Sequence, residues 1–120
     1  MIIFDASCEA TKQWVSLSGQ GKDSEDAPAV LMKPLNWIEL HQIEKESEEV
    51  NNEGNAYINY YKYWQKIIDT TEPEAWRGVV MPDGTSHPFR EETLFLLISQ
   101  TPIVARHLKN ELTALAIGLK

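Results

Sequence analysis

The spacing of hydrophobic residues divides the chain into a short β-rich beginning and a longer helical remainder. Residues 13–17 and 29–33 are two short apolar runs with β-branched members, a composition typical of strands. The segment between them is rich in Gly, Ser and acidic residues, which favours a loop. We therefore expect a long-looped hairpin, or pairing of these strands with residues 2–4. We expect this N-terminal part, 1–28, to be loosely ordered, with a mobile loop at 18–28.

Asn36 is predicted to begin the first helix. Its side-chain oxygen can accept a hydrogen bond from the first turn, and Glu39 stands three residues later, where its carboxylate can bond back to the Asn36 backbone. The apolar positions that follow are Trp37, Leu40 and Ile43. The polar sequence EKESEEVNNEGN comes next. We expect this helix to end near Glu49 and residues 51–55 to form the turn after it.

A second helix with an aromatic face is predicted from Ala56 to the break at residues 70–73. Apolar side chains fall on one face at 100° per residue, while Lys62 and Lys66 fall on the opposite face. The apolar face consists of Tyr57, Tyr60, Tyr61, Trp64, Ile67 and Ile68. Such a face usually belongs to the core, but a face this rich in tyrosine also suits a protein interface.

The last third of the chain is predicted to contain a turn and two helices. Met-Pro-Asp-Gly at 81–84 is typical of a chain reversal. Residues 91–99 form a helix so apolar that it should be covered on most sides. Thr101 and Pro102 suit the start of the last helix, and Gly118 suits its end. The apolar face of that helix is Val104, Leu108, Leu112 and Leu115.

These elements predict one domain over residues 1–120, of a size common for single domains. Its expected fold class is mainly α with a small N-terminal β element (α+β). Four to five helices would form a compact bundle, with 29–120 as the helical core. The candidate partner interface combines aromatic residues of the second helix with two leucines of the last one: Tyr57, Tyr61, Trp64, Leu108 and Leu112. For the three aromatic residues, burial inside the monomer is the alternative interpretation.

Charge and cysteine content restrict the partners and the compartment. The net charge of −7 opposes binding to polyanions, so neither nucleic acid nor an anionic membrane is an expected partner. Residues 39–53 hold six Glu and one Lys, whereas residues 103–120 hold three basic residues and one Glu. This asymmetry allows a head-to-tail self-contact, or simply two solvated helix faces. A single cysteine, Cys8, and no visible signal peptide favour a cytoplasmic location.

Candidate chemistry concentrates at Asp83, Ser86 and His87, which lie within five residues. A serine nucleophile needs a base and an oxyanion hole, which distant segments usually supply, and no G-x-S-x-G elbow surrounds Ser86. Asp83 already has a sufficient role in the turn. The three histidines are scattered, without metal-ligand spacing. We expect no enzyme activity, no cofactor and no metal.

The stretch from Trp76 to Pro102 resembles the C-terminal motif of tail assembly chaperones of long-tailed bacteriophages. The usual form is W-x-G-V-x-x-x-D-G, then P-F-x-x-E-x, a double Leu and a Pro that opens the last helix. The matching turn and core residues are Trp76, Gly78, Asp83, Gly84, Phe89, Leu94, Leu97 and Pro102. VLMKPLNWIEL at 30–40 is similar to an upstream apolar stretch of the family. Arg90 departs from the Ser or Thr that often caps the helix after the Phe, although Thr85 and Ser86 are alternative caps.

The resemblance implies a function without catalysis. Such chaperones bind the tape measure protein, a long aggregation-prone helical chain, while tail tube protein polymerises around it. They self-associate into rings or open spirals, and ribosomal frameshifting makes a longer form of the same chain. We therefore expect a phage or prophage tail assembly chaperone that acts in the host cytoplasm. The alternatives are a small cytosolic regulatory adaptor that binds one host protein, and a small hydrolase that uses Ser86 and His87.

Overall fold

The computed structural model describes residues 11–18 and 27–118. These residues form five short strands and four helices, and the structure is 47% helical and 19% strand. The elements in chain order are β1 (Gln13–Ser16), β2 (Ala29–Met32), α1 (Trp37–Glu46), β3 (Glu48–Val50), β4 (Ala56–Ile58), α2 (Tyr60–Thr71), β5 (Ala75–Arg77), α3 (Glu91–Gln100) and α4 (Pro102–Ala116). The fold is α+β, with two small sheets.

A three-stranded antiparallel sheet has the order β1-β2-β5. Trp14 lies opposite Leu31, and Val30 lies opposite Trp76. The hairpin expected between the first two strands is therefore confirmed. Residues 2–4, the other predicted pairing partner, lie outside the described residues, as does most of the loop predicted at 18–28.

Helix α1 begins where the sequence predicts and ends earlier. The Asn36 side chain accepts a hydrogen bond from the Glu39 backbone N–H at 2.8 Å, and the Glu39 carboxylate accepts one from the Asn36 N–H at 3.2 Å, so the capping box is present. The helix ends at Glu46 rather than near Glu49. Ser47 is fully buried, and its hydroxyl donates to the Ile43 carbonyl at 2.7 Å.

A β-hairpin follows α1, where the sequence predicted a helix end and the start of the next helix. β3 pairs with β4 in antiparallel register, with Glu49 opposite Tyr57. The Asn51 side-chain oxygen accepts from the N–H groups of Glu53 and Asn55 at 2.9 and 3.0 Å, which closes the turn between the strands. The turn predicted at 51–55 therefore joins two strands and not two helices.

Helix α2 consequently begins at Tyr60 and not at Ala56. Asn59 is its N-cap, and the Asn59 side-chain oxygen accepts from the N–H groups of Tyr61 and Lys62. The Asn59 N–H donates to the Ser47 carbonyl at 2.8 Å, which connects the start of α2 to the end of α1. Tyr57 lies on a strand and is no part of the helical aromatic face.

The predicted fold class, mainly α with β structure confined to the N-terminal part, is therefore wrong. Four of the five strands lie within the predicted helical core at 29–120, and three of them, β3, β4 and β5, lie where the sequence predicted no strand. Each of these three has only three residues, which is too short for the alternation of apolar and polar positions that identifies strands. The expected four to five helices agree with the four that are present.

The core lies between the helices and the three-stranded sheet, where α4 contacts β1, α1 and α3. Leu108 and Leu112 of α4 are 0% and 1% exposed. In α3, Leu94 and Ile98 are buried but Leu96 is 51% exposed, so the expectation that this helix is covered on most sides is wrong for the side that carries Leu96. Among the described residues the longest helix has 15 residues, and none is long and apolar enough to cross a bilayer.

Helices α3 and α4 meet without a loop. Thr101 follows the last residue of α3 and precedes Pro102, the first residue of α4. The backbone carbonyl of Thr101 accepts from Val104 and Ala105, while its side chain makes no capping hydrogen bond. At the other end of α4, Gly118 has a φ of 78°, in keeping with a helix stop.

Candidate functional site

The Met81–Thr85 segment forms a tight turn. The Met81 N–H donates to the Thr85 carbonyl at 2.7 Å, and the Gly84 N–H donates to the Met81 carbonyl at 2.9 Å. The Asp83 carboxylate accepts from the Thr85 hydroxyl at 2.7 Å and from the Thr85 N–H at 2.9 Å. These hydrogen bonds hold the pKa of the Asp83 carboxyl below its ordinary value. Asp83 is thus occupied within the turn.

Trp76 holds the segment after the turn against the sheet. Its indole N–H donates to the His87 carbonyl at 2.7 Å, and its ring meets the rings of Phe89 and His87 edge to face at 5.5 and 5.8 Å. Within residues 11–18 and 27–118, no hydrogen bond joins Ser86 to His87 or to Asp83. The arrangement that a Ser-His-Asp nucleophile requires is not assembled at these three residues.

Gly78 is the tightest point of the Trp76–Pro102 stretch. Its φ is 72°, and a Cβ at this position would lie 2.8 Å from the Pro28 Cα and 2.9 Å from the Pro28 nitrogen. A side chain there would collide with the backbone just before β2. Gly84 also has a positive φ, of 88°, but nothing lies within 4 Å of its Cβ position. The two glycines therefore serve different purposes: Gly78 permits close packing, and Gly84 permits a turn.

A groove of about 620 Å³, here called the aromatic groove, lies between α2, α3 and α4. Tyr61 and Phe95 meet edge to face at 5.1 Å across α2 and α3. Trp64 is 6% exposed and Ile98 is 3% exposed, so both are largely covered and form the floor of the groove. The lining residues are Tyr60, Tyr61, Trp64, Phe95, Ile98, Ser99, Pro102, Ala105, Arg106 and Lys109.

Two basic side chains of α4 border this groove. The Lys109 ammonium lies 5.7 Å from the centre of the Tyr60 ring and 5.6 Å from that of Tyr63, within cation–π range. Arg106 is exposed. In the described part of the chain neither cation forms a salt bridge, whereas four lysines elsewhere do. Those pairs are Lys12–Glu74, Lys33–Glu72, Lys62–Glu49 and Lys66–Glu46.

A second groove of about 400 Å³, here called the aliphatic groove, lies on the sheet side of α3. Leu97 of α3 contributes to this groove, just as Phe95 contributes to the aromatic groove. Among the described residues that line it, His107 is the one with an ionisable side chain. The lining residues are Leu17, Ser18, Pro28, Gly78, Val79, Val80, Leu97, Ile103, Val104 and His107.

The residues predicted for a partner interface are dispersed in the structure. Tyr61 is 67% exposed and lines the aromatic groove, where Trp64 joins it. Tyr57 is exposed but lies on β4, where its hydroxyl donates to the Glu49 carboxylate at 2.9 Å. Leu108 and Leu112 are buried in the monomer core, so a partner docked on this surface would not reach them. Burial, the alternative interpretation for the three aromatic residues, holds for Trp64, which is 6% exposed, and not for Tyr57 and Tyr61.

Sequence reasoning did not assign eight of the ten described lining residues to the interface, among them Phe95, Arg106 and Lys109. A signal for the last two was present, because Pro102, Ala105, Arg106 and Lys109 recur at the three- and four-residue spacings that place side chains on one helix face. That face is separate from the one that carries Leu108 and Leu112. Nothing local indicated that Phe95 would lie beside Tyr61, because 34 positions of the sequence separate them.

Glu49 fixes the β3–β4 hairpin to α2. Its carboxylate pairs with the Lys62 ammonium and accepts from the Tyr57 hydroxyl at 2.9 Å and the Asn59 amide at 3.2 Å. These partners, Lys62 foremost, hold the pKa of the Glu49 carboxyl below its ordinary value. Part of the acidic segment at 39–53 is therefore neutralised within the molecule.

Among the described residues, no group of three or more His, Cys, Asp and Glu side chains could hold a metal ion. Comparison with known proteins found no family model, no curated protein and no solved structure that matches this chain.

Proposed function

We propose that this protein is a phage tail assembly chaperone, which binds the tape measure protein and keeps it soluble while tail tube protein polymerises around it. The proposed role is non-enzymatic and belongs to the host cytoplasm. The observation that carries the proposal is the aromatic groove, an open apolar channel between three helices in a chain of only 120 residues. The order of residues from Trp76 to Pro102, which resembles the motif of that family, supports it.

The shape of the groove suits a helical client. An amphipathic helix can place its apolar face in a groove between helices, and its anchors then recur every three to four residues. Tyr61 is 67% exposed, so much of its ring is available to a client side chain. Burying apolar surface contributes about 25 cal/mol per Å² before the losses of freedom on association are subtracted. The same burial covers the apolar face of the client, which would otherwise cause the client to aggregate.

The proposal includes self-association into a ring or spiral, together with a frameshifted longer form of the chain. Head-to-tail contacts produce rings when the rotation closes and spirals when it does not. Lys62 and Lys66 neutralise two carboxylates of the acidic segment. Glu44, Glu48 and Glu53 form no salt bridge within the described ranges, so they could meet basic groups of another copy.

Co-expression tests the proposal. The tape measure protein of the same phage or prophage would be produced with and without this chain, and its soluble fraction measured. We expect the chain to raise that fraction and to co-purify with the client. Tyr61→Ala should reduce the effect, whereas Tyr57→Ala, which removes an exposed tyrosine outside the groove, should not.

The opposite result would favour the regulatory adaptor. A client that stays insoluble with or without the chain, together with a chain that elutes as a monomer at every concentration in size-exclusion chromatography, would overturn the proposal.

A further inference from the structure

The aromatic groove has a charge preference in addition to its shape. We infer that it selects an acidic amphipathic helix, whose apolar face enters the groove while adjacent carboxylates meet Arg106 and Lys109. This inference deepens the proposed function and rests on it only so far as the tape measure protein supplies that helix. It names the chemistry of the occupant: apolar anchors flanked on one side by Asp or Glu.

The first step of the argument is the distribution of charge. The chain carries a net charge of −7, so its long-range field repels acidic partners. Against that background, Arg106 and Lys109 form no salt bridge with any described carboxylate, and both line the groove. Lys62 and Lys66 of α2, in contrast, are neutralised by Glu49 and Glu46. Arg106 and Lys109 therefore place two cations without a salt bridge together at the apolar surface, whereas Lys45 and Arg90, which also form no salt bridge in the described ranges, lie outside the groove.

The second step is the position of the Lys109 ammonium. It lies 5.7 Å from the Tyr60 ring and 5.6 Å from the Tyr63 ring. Contact with two aromatic rings restricts the lysine side chain before any partner arrives, which lowers the entropy that binding must remove. The ammonium keeps its hydrogen atoms for an acceptor, because an aromatic face supplies charge density and no lone pair. A carboxylate is the acceptor that complements it best.

The third step is the spacing along α4. Arg106 and Lys109 are three residues apart, so they share a helix face and are separated by about 4.5 Å along the axis. Carboxylates three or four residues apart on a client helix have a similar axial separation, of about 4.5–6 Å. Ala105 is small and lies next to this pair on α4, which lets a client backbone approach closely. Two acidic residues of the client can thus meet both cations at once.

The fourth step is the apolar floor, which fixes what the rest of the client must be. Trp64 and Ile98 are nearly buried, and the Tyr61 and Phe95 rings form the α2–α3 side. A purely acidic, polar segment would leave this apolar surface exposed to water, so burial would contribute little to its binding free energy. An apolar helix without acidic flanks would leave both cations without partners. Only a helix with both features matches the floor and the border together.

Three synthetic helical peptides of about 18 residues, a length that allows a stable helix, test the inference. They share one Leu and Phe face, and the positions beside that face are all Glu, all Gln or all Lys. Binding to the full-length protein is measured by isothermal titration calorimetry. We expect the Glu peptide to bind roughly fivefold to thirtyfold more tightly than the Gln peptide, the range that two partly exposed charge pairs provide, and the Lys peptide to bind most weakly.

Arg106→Glu is the decisive variant, because Arg106 is exposed and its replacement should leave the core intact. We expect it to remove the preference for the Glu peptide or to reverse it toward the Lys peptide. Arg90→Glu is the matched control: it makes the same change in charge at an exposed position outside the groove. Arg90→Glu should keep the wild-type order of affinities. Tyr61→Ala should lower the affinity for all three peptides by a similar factor.

Equal affinities for the three peptides, no binding of any of them, or an unchanged preference in Arg106→Glu would overturn the inference. The same measurements separate it from the proposed function. A tape measure protein that becomes soluble although the peptides show no charge preference would leave the chaperone proposal standing and this inference rejected. A clear preference for the Glu peptide without any effect on the tape measure protein would do the reverse.

Discussion

The aromatic and aliphatic grooves share two helices, α3 and α4, yet they differ in chemistry. Phe95 of α3 lines the first and Leu97 lines the second. Helix α4 contributes Arg106 and Lys109 to the aromatic groove, but Ile103, Val104 and His107 to the aliphatic one. Because these positions alternate around the same two helices, a ten-residue helix and its neighbour border one groove with two basic side chains and one whose described lining is almost entirely apolar.

The boundaries of the two grooves differ as well. The aromatic groove is formed by three helices, all of them described throughout. The aliphatic groove borders the three-stranded sheet at Gly78 and extends to Ser18 and Pro28, which lie at the two sides of residues 19–26, outside the described part.

The largest expected effect comes from Gly78→Ala, at the border of the aliphatic groove. The positive φ costs an alanine about 1–2 kcal/mol, and the new Cβ also meets the Pro28 backbone at 2.8 Å, so we expect a total loss of roughly 3 kcal/mol in the free energy of unfolding. Gly84→Ala has the same φ problem in open space and should cost only about 1–2 kcal/mol. Urea unfolding measures both, and equal losses would refute the packing role of Gly78.

The second prediction separates the two sides of α3. Phe95→Ala and Leu97→Ala each truncate a partly buried core contact, so both should lower the free energy of unfolding by about 1–3 kcal/mol. Only Phe95→Ala should weaken binding of the Glu peptide, because Leu97 does not line the aromatic groove. If Leu97→Ala weakened binding of the Glu peptide as much, the assignment of Leu97 to the aliphatic groove alone would be wrong.

Ionic strength gives a third, smaller effect. Salt screens exposed charges over a Debye length of about 10 Å at 0.1 M. The ratio of the affinities of the Glu and Gln peptides should therefore shrink by a few fold between about 0.02 M and about 0.5 M salt, because the Debye length shortens over this range. Binding of the Gln peptide should change little. If the higher affinity of the Glu peptide did not depend on salt, its cause would be the apolar contact and not the charge.

The smallest effect concerns Glu49, which neutralises Lys62 of α2. The pKa of its carboxyl is lowered from 4.5 in the folded state, mainly by Lys62. The sign is that of a depressed acid: the stabilisation is present above the unfolded pKa and is lost as pH falls through the lower folded pKa. Wild type should melt slightly above Glu49→Gln at pH 7, and the difference should vanish in acid. A difference that persisted in acid would contradict this assignment.

Local chemistry made part of the fold predictable from the sequence. The capping box at Asn36 and Glu39 depends on residues three positions apart, and Pro102 and Gly118 act through their own backbone preferences. Each of these signals depends only on residues that are close together in the sequence. The sequence therefore located the start of α1 and both ends of α4.

The β3–β4 hairpin was not predictable by the same means. Its strands are three residues long, and Tyr57 happened to fall in phase with the apolar face of α2. What selects the hairpin is a set of contacts between segments: the Asn59 N–H bonds to the Ser47 carbonyl, and Glu49 binds Tyr57 and Lys62. Periodicity within one segment carries no information about such partners.

The candidate site was predictable only in part for a related reason. Tyr61 and Trp64 were identified from the aromatic face of α2, and both line the groove. Leu108 and Leu112 were assigned to a surface because apolar periodicity marks a buried face without saying what buries it. Here the monomer core buries it. The groove itself arises from three helices whose angles depend on the whole chain.

The direct junction of α3 and α4 at Thr101 makes the two grooves mechanically dependent. Without a loop, the helices have no flexible connector that could absorb a change in the angle between them. An occupant that displaced α3 away from α2 would move Leu97 together with Phe95, since both belong to the same rigid helix. Such a displacement would therefore change the shape of both grooves at once.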